Sequence, residues 1–213
     1  MRSDAWLSNL DDRLRRQLTF LVEVDRLKTV LRDTPITDGS RLENSAEHSW
    51  HLALFAMTLA EFADEPVDVN RVVRMLTIHD IVEIDAGDLS VFRQASEGTH
   101  KNAEGDAAHR LFGLLPEEMA DEWIALWQEF EAVETADARF ARAIDSVQPL
   151  VLNHVVGGGS WTVHDIDEAT LRSVKSGLAD WAPRLWPLVE GILADAVAAG
   201  WLARAPGDRG AVS

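Results

Sequence analysis

A chain of 213 residues carrying a formal net charge of -16 repels a phosphate backbone, which excludes long DNA or RNA as an expected partner. Hydrophobic residues at 46% beside charged residues at 26% describe a folded soluble protein with core enough for one compact domain. With no cysteine, disulfides, thiolate nucleophiles and sulfur-ligated metal sites are ruled out, so any metal must be held by His, Asp or Glu.

Apolar residues recur at three- and four-residue intervals while alternating, hairpin-bounded runs are missing, which predicts an all-α fold. In chain order the expected helices cover 5–31, 43–64, 68–80, 100–113, 117–131, 136–155, 168–180 and 182–202. The first lies in MRSDAWLSNLDDRLRRQLTFLVEVDRLK, whose charged and apolar residues alternate at helical spacing without the long apolar run of a signal peptide or membrane span. Cytoplasmic residence and no membrane partner are therefore expected. Residues 32–40, RDTPITDGS, read as a connection because Pro, Gly, Asp, Ser and Thr gather there. Asp68 is placed to cap the third helix, and the glycines of VVGGGS (155–160) to end the helix before them. Residues 1–205 are expected to form one domain, with a core at 27–155, C-terminal helices at 165–202 and a flexible tail at 206–213.

Chemistry concentrates in ENSAEHSWHLALFAMTLAEFA and VDVNRVVRMLTIHDIVEIDAGD, where His48, His79, Asp80, Glu83, Asp85 and Asp88 interrupt segments built for burial. A charge in an apolar interior must be paired or bound to a metal. Consecutive helical side chains diverge by roughly 100°, so His79 and Asp80 reach one ion only if other elements supply the remaining ligands. His48 is one candidate. Asp145, set among Phe140, Ala141, Ala143, Ile144 and Val147, is another, which makes His48, His79, Asp80 and Asp145 a coherent set. Each residue also has a plainer reading. His48 suits a hydrogen-bonded half-buried histidine, Asp145 an ion-pair partner of Arg139 or Arg142, Glu43 and Glu47 the helix N-terminus, and Asp85 a loop brace. Most tryptophans suit core packing, with Trp50 and Trp161 as candidates for stacking on a base. His51, His100, His109, His154 and His164 read as surface or structural residues.

The segments ENSAEHSW at 43–50, IHDIVEIDAGD at 78–88 and ARAIDSVQPLVLN at 141–153 resemble, in order, the motifs of the HD-domain metal-dependent phosphohydrolases, specifically the 5'-deoxynucleotidase group. The resemblance implies a helical bundle in which His48, His79, Asp80 and Asp145 hold one divalent ion, of the set Mn²⁺, Co²⁺, Fe²⁺, Ni²⁺, Zn²⁺ and Mg²⁺. Glu83 and Asp88 match the family's catalytic acids, and Arg32 its substrate-binding arginine, although Asp33 stands where an aromatic is expected. A small phosphorylated substrate, a (deoxy)nucleoside 5'-monophosphate, and a homodimer are the resulting expectations, with Trp50 beside the EH motif as a further substrate contact. Two rivals are a di-iron oxygenase on the same fold, which would draw on histidines such as His100 and His109, and a nucleotide-binding module without turnover.

Overall fold

The computed structural model describes residues 4–88 and 97–204. The tail expected at 206–213 lies outside them. Asp11 caps α1 (Asp12–Val24) by accepting from the Leu14 amide, but the single helix expected over 5–31 is divided into a 3₁₀ turn at Asp4–Leu7, α1, and a second 3₁₀ turn at Asp25–Thr29. The residues just beyond it draw the chain out of the helix. Val30 and Thr34 are β-branched, and Pro35 biases the residue before it to extended backbone.

The connection expected at 32–40 is instead part of a hairpin, β1 (Leu31–Pro35) against β2 (Leu42–Asn44), antiparallel with Leu31 opposite Asn44 and Pro35 opposite Leu42. The turn chemistry is as read. Gly39 adopts φ +69°, and Asp38 accepts from the Ser40 amide. What the alternation rule missed is a strand pair too short to show a period of two.

Asn44 then starts α2 (Ser45–Leu59) with a capping box, its side chain taking the Glu47 amide while Glu47 returns to the Asn44 amide. Asp68 caps α3 (Val69–Ile78) as expected, accepting from Asn70 and Arg71. After Ile78 the chain tightens to a 3₁₀ turn, His79–Val82, and then α4 (Glu83–Ala86), ended by Gly87 at φ +77°. The remaining helices are α5 (Glu97–Phe112), α6 (Glu117–Ala132), α7 (Ala136–Val155), α8 (Ser160–Val163), α9 (Glu168–Lys175), α10 (Gly177–Trp181) and α11 (Trp186–Ala198). The stretch expected as one helix at 168–180 breaks near Ser176. The helix expected at 182–202 begins only after Pro183, with Pro187 in its first turn, where the missing amide costs nothing.

The central layer is α2, α3 and α7, packed on one another, with α6 closing one side of α3 and α7 and the pair α10, α11 covering α7 from the C-terminal side. Leu52, Ala56, Val72, Met75, Leu76, Ala141, Ile144 and Val147 fill the space between and are fully buried. The apolar face of α11 also has an internal partner, since Val189, Leu193 and Ala196 are buried. The polar side chains that gather in the interior project from this layer, from the hairpin beside it, and from the turn after α3.

Candidate metal centre

The α2–α3–α7 layer brings three separated segments to one point. His48 from α2, His79 from the 3₁₀ turn and Asp145 from α7 offer ligand atoms that all lie within 4.8 Å of one another. Asp145 Oδ1 stands 3.0 Å from His48 Nε2 and 3.6 Å from His79 Nε2. Asp80 Oδ1 is 3.0 Å from His79 Nε2, and its Oδ2 is 4.0 Å from His48 Nε2. The four residues singled out in the sequence therefore meet, three in a tight cluster and Asp80 at its edge. A 3₁₀ turn advances about 120° per residue, yet both neighbours reach the centre because the cluster sits against the turn.

Both imidazoles are oriented from behind. His79 Nδ1 faces the Leu76 carbonyl at 3.0 Å, an acceptor only, so Nδ1 carries the hydrogen and Nε2 faces the cluster. His48 Nδ1 lies 3.1 Å from Gln148 Oε1 and 3.3 Å from Glu43 Oε2, which fixes the same tautomer. Gln148 donates to Glu43 Oε1 at 2.8 Å and faces His51 Nδ1 at 3.2 Å. This inner network of Glu43, Gln148 and His51 is the kind that aims metal-bound histidines. Sequence reading gave Glu43 to the helix N-terminus and passed over Gln148. The available signal was Gln148 itself, a polar residue one helical turn beyond Asp145 on a face otherwise apolar.

The electrostatics show what the donor set lacks. Burial opposes charge on His79, but the Asp80 and Asp145 carboxylates outweigh it and raise the imidazole to about 10. Burial likewise works against Asp80 and Asp145, yet His79 and Arg32 hold Asp80 at about 2, and the neighbouring His48 and His79 imidazoles hold Asp145 well below the usual range. The carboxylates thus keep a proton on the nitrogen for which a metal competes. Buried His79 Nε2 has no well-aligned hydrogen-bond acceptor despite its short distance to Asp80. Two imidazole nitrogens and two carboxylates, with an inward nitrogen lacking a geometric partner, fit a divalent cation.

Around the cluster, β1 contributes Arg32, whose Nη1 lies 2.9 Å from Asp80 Oδ2, 3.8 Å from Glu83 Oε1 and 3.9 Å from Asp88 Oδ1. Glu83 accepts from Ser45 Oγ at 2.6 Å. Burial, with the Asp80 charge second, pushes its carboxyl up to about 9. Asp88 is raised too, by burial and then, against the pull of Arg32, by Asp80. Beside Arg32, Asp33 meets His164, Oδ2 to Nε2, at 3.3 Å.

Other sequence candidates fall elsewhere. Trp50 is 65% exposed on the side of α2 turned away from His48, stacks on His51 and borders a surface cavity of about 410 Å³ with Arg41, Glu47 and Leu152. Trp161 is 1% exposed and is a core residue rather than a stacking platform. Asp85 braces α4 to Arg110 of α5, as its plainer reading had it. Arg142 does approach Asp145, at 3.6 Å, so the ion-pair reading and the cluster coexist. His109 is exposed, and the side chain of His100 lies outside the described residues. His154 pairs with Asp195 at 2.7 Å. Among the described residues, sequence reading missed Lys175 of α9, whose ammonium donates to the carbonyl and hydroxyl of Ser146 at 3.1 Å each.

Known proteins resemble the chain in sequence and in fold. Residues 24–186 match the model of the HD domain family. Human 5'-deoxynucleotidase HDDC2 is 28% identical over 138 residues, 64% of this chain and 66% of that protein, so the match spans just under two thirds of the relative. A crystal structure of a predicted metal-dependent phosphohydrolase from Magnetospirillum magnetotacticum MS-1 superposes with TM-score 0.85 at 50% identity, covering 90% of this chain and 96% of the other. A conserved hypothetical protein from Pyrococcus furiosus, 18% identical with TM-score 0.58 over 84% of this chain and 98% of its own, shares the fold.

Proposed function

The chain belongs to the HD domain family, and from that premise we propose that it is a divalent-metal-dependent phosphomonoesterase acting on (deoxy)nucleoside 5'-monophosphates, with His48, His79, Asp80 and Asp145 as the metal ligands. The observation that carries the reading is the convergence of His48, His79 and Asp145 with a buried carboxyl, Glu83, and a half-buried one, Asp88, beside it. A structural metal would need the ligands alone. The names of its relatives, a 5'-deoxynucleotidase and a predicted metal-dependent phosphohydrolase, supply the substrate class.

A divalent cation held by His48, His79, Asp80 and Asp145 would supply Lewis acidity for a phosphoryl oxygen and lower the pKa of water. The chain's own groups do the rest. Burial and the Asp80 charge raise Glu83, and that charge would be offset by a dication among these carboxylates. Ser45 holds one Glu83 oxygen, and the ionised carboxylate would take a proton from the water that attacks phosphorus. Arg32 offsets charge on the phosphoryl oxygens. As the bond from phosphorus to the ester oxygen breaks, Asp88, whose raised pKa favours its acid form, gives a proton to the departing alkoxide. The products are inorganic phosphate and the nucleoside, with one water consumed.

The test is a panel of nucleoside mono-, di- and triphosphates assayed after chelation and after adding back Mn²⁺ or Co²⁺. Release of inorganic phosphate from deoxynucleoside 5'-monophosphates, lost on chelation and regained with metal, is expected. Full activity in demonstrably metal-free protein would sink the metal reading, and release of pyrophosphate or triphosphate with no action on monophosphates would move the substrate assignment.

A further inference from the structure

The proposed chemistry leaves unused a cation beside Asp145. Lys175 comes from α9, in the C-terminal part of the chain, and its ammonium is anchored on Ser146, the residue after Asp145. Its charge interacts with both Asp145 and Arg32. The turn of α7 it touches is loosened by sequence. Pro149 lies inside α7, has no amide hydrogen for the Asp145 carbonyl four residues back, and crowds that carbonyl with its ring. A lysine there has a bland use, to satisfy the loosened turn.

Two observations point past it. An ammonium has three donors, and Ser146 engages two of them, so one is left for a ligand. Charge is the second. Asp80, Asp145 and, as the base, Glu83 carry charge around one arginine, and a phosphomonoester brings about -1.5 to -2 more at neutral pH. A dication and Arg32 do not balance that sum. Of the cations near Asp145, Arg142 is already paired with Glu131 at 2.9 Å and laid over Phe130. Lys175 is held by the uncharged carbonyl and hydroxyl of Ser146 and forms no ion pair among the described residues.

We propose that Lys175 binds the phosphoryl group of the substrate together with Arg32, making the C-terminal helices part of the active site; the inference rests on the phosphomonoesterase reading for its substrate, though not for its test. Inorganic phosphate is titrated calorimetrically into the Mn²⁺-loaded full chain, wild type against Lys175→Met and Lys175→Arg, with metal content, Tm, KM and kcat measured on the same samples. Losing one charge-assisted hydrogen bond should weaken phosphate binding and raise KM by about 10- to 100-fold in Lys175→Met, with metal content and Tm near wild type and most of the loss restored in Lys175→Arg. Unchanged phosphate affinity and KM in Lys175→Met overturn the proposal, whatever its Tm. If Lys175→Met does not fold or hold metal, the decision passes to the lysine ammonium signals of ¹⁵N-labelled, Mg²⁺-loaded wild type. The Lys175 signal, assigned by its loss in Lys175→Arg, moves on adding phosphate if the proposal holds and stays fixed if the amine is only a brace. A wild type that binds phosphate through Lys175 but hydrolyses no monoester would keep this inference and remove the activity.

Discussion

Glu83 and His79 both face the cluster, and substituting them should give opposite signatures. Glu83 is tied to Ser45 and lies beside the ligands rather than among the three that converge. Glu83→Gln keeps size and hydrogen-bonding reach but cannot take a proton, so it should retain about one metal per chain while kcat falls by roughly 10²–10⁴-fold. His79→Ala removes a ligand nitrogen and should lose metal and activity together. Metal analysis and steady-state rates on both variants check this. A fully active Glu83→Gln would pass the proton-accepting role to Asp88, and a Glu83→Gln that lost its metal would make Glu83 a ligand. The residue types at this centre were legible in sequence because buried His and Asp in apolar helices demand a partner. Glu43, Gln148 and Lys175 were not. Their roles depend on neighbours about a hundred or thirty residues away (|i−j| of 105 and 29), and no local pattern marks them.

Among the elements, the amphipathic helices were readable, and Asp68 stands where its helix begins; the Asn44 cap of α2 emerged only with the structure. The hairpin was not, because strands of five and three residues carry too little periodicity and Arg32 looks like a loop residue until β2 pairs with β1. The glycine turn after α7 was read correctly as a terminator, and the structure adds how tightly two of its glycines, Gly158 and Gly159, are held. Gly159 has φ +45°, and a Cβ there would stand 2.3 Å from Asn153 Oδ1, the atom that accepts the Ser160 amide and hydroxyl. Asn153 also donates to the Pro149 carbonyl at 2.8 Å, tying the turn back to the helix that carries Asp145. Gly159→Ala should therefore cost about 1–3 kcal/mol through strain and the displaced amide, read as a lower denaturant midpoint with little change in metal content. A midpoint equal to wild type would mean that the turn relaxes freely and does not brace α7.

For the whole molecule, net charge and hydropathy told class and little else, since a charge of -16 speaks to solubility and partners rather than to fold. The consequence at this scale comes from where the acidic groups are. Asp80, Glu83 and Glu43 are buried, and Asp145 joins them between three helices that share one core. A cation bound there holds α2, the turn after α3, and α7 together, and binds the folded chain alone, because the unfolded chain has no such convergence. Metal should then stabilise by mass action: about 2.7 kcal/mol at a hundredfold excess over Kd. For a domain of this size each kcal/mol moves Tm by about 2–4 °C, so chelation should lower Tm by roughly 5–10 °C from that loading. The midpoint should climb with metal concentration in wild type and Glu83→Gln alike, and fail to climb in His79→Ala. Scanning calorimetry at several metal concentrations reads this without any assay of turnover. A Tm indifferent to metal in the wild type would mean that the folded cluster does not bind the cation, since any ligand with preference for the folded state must raise its stability.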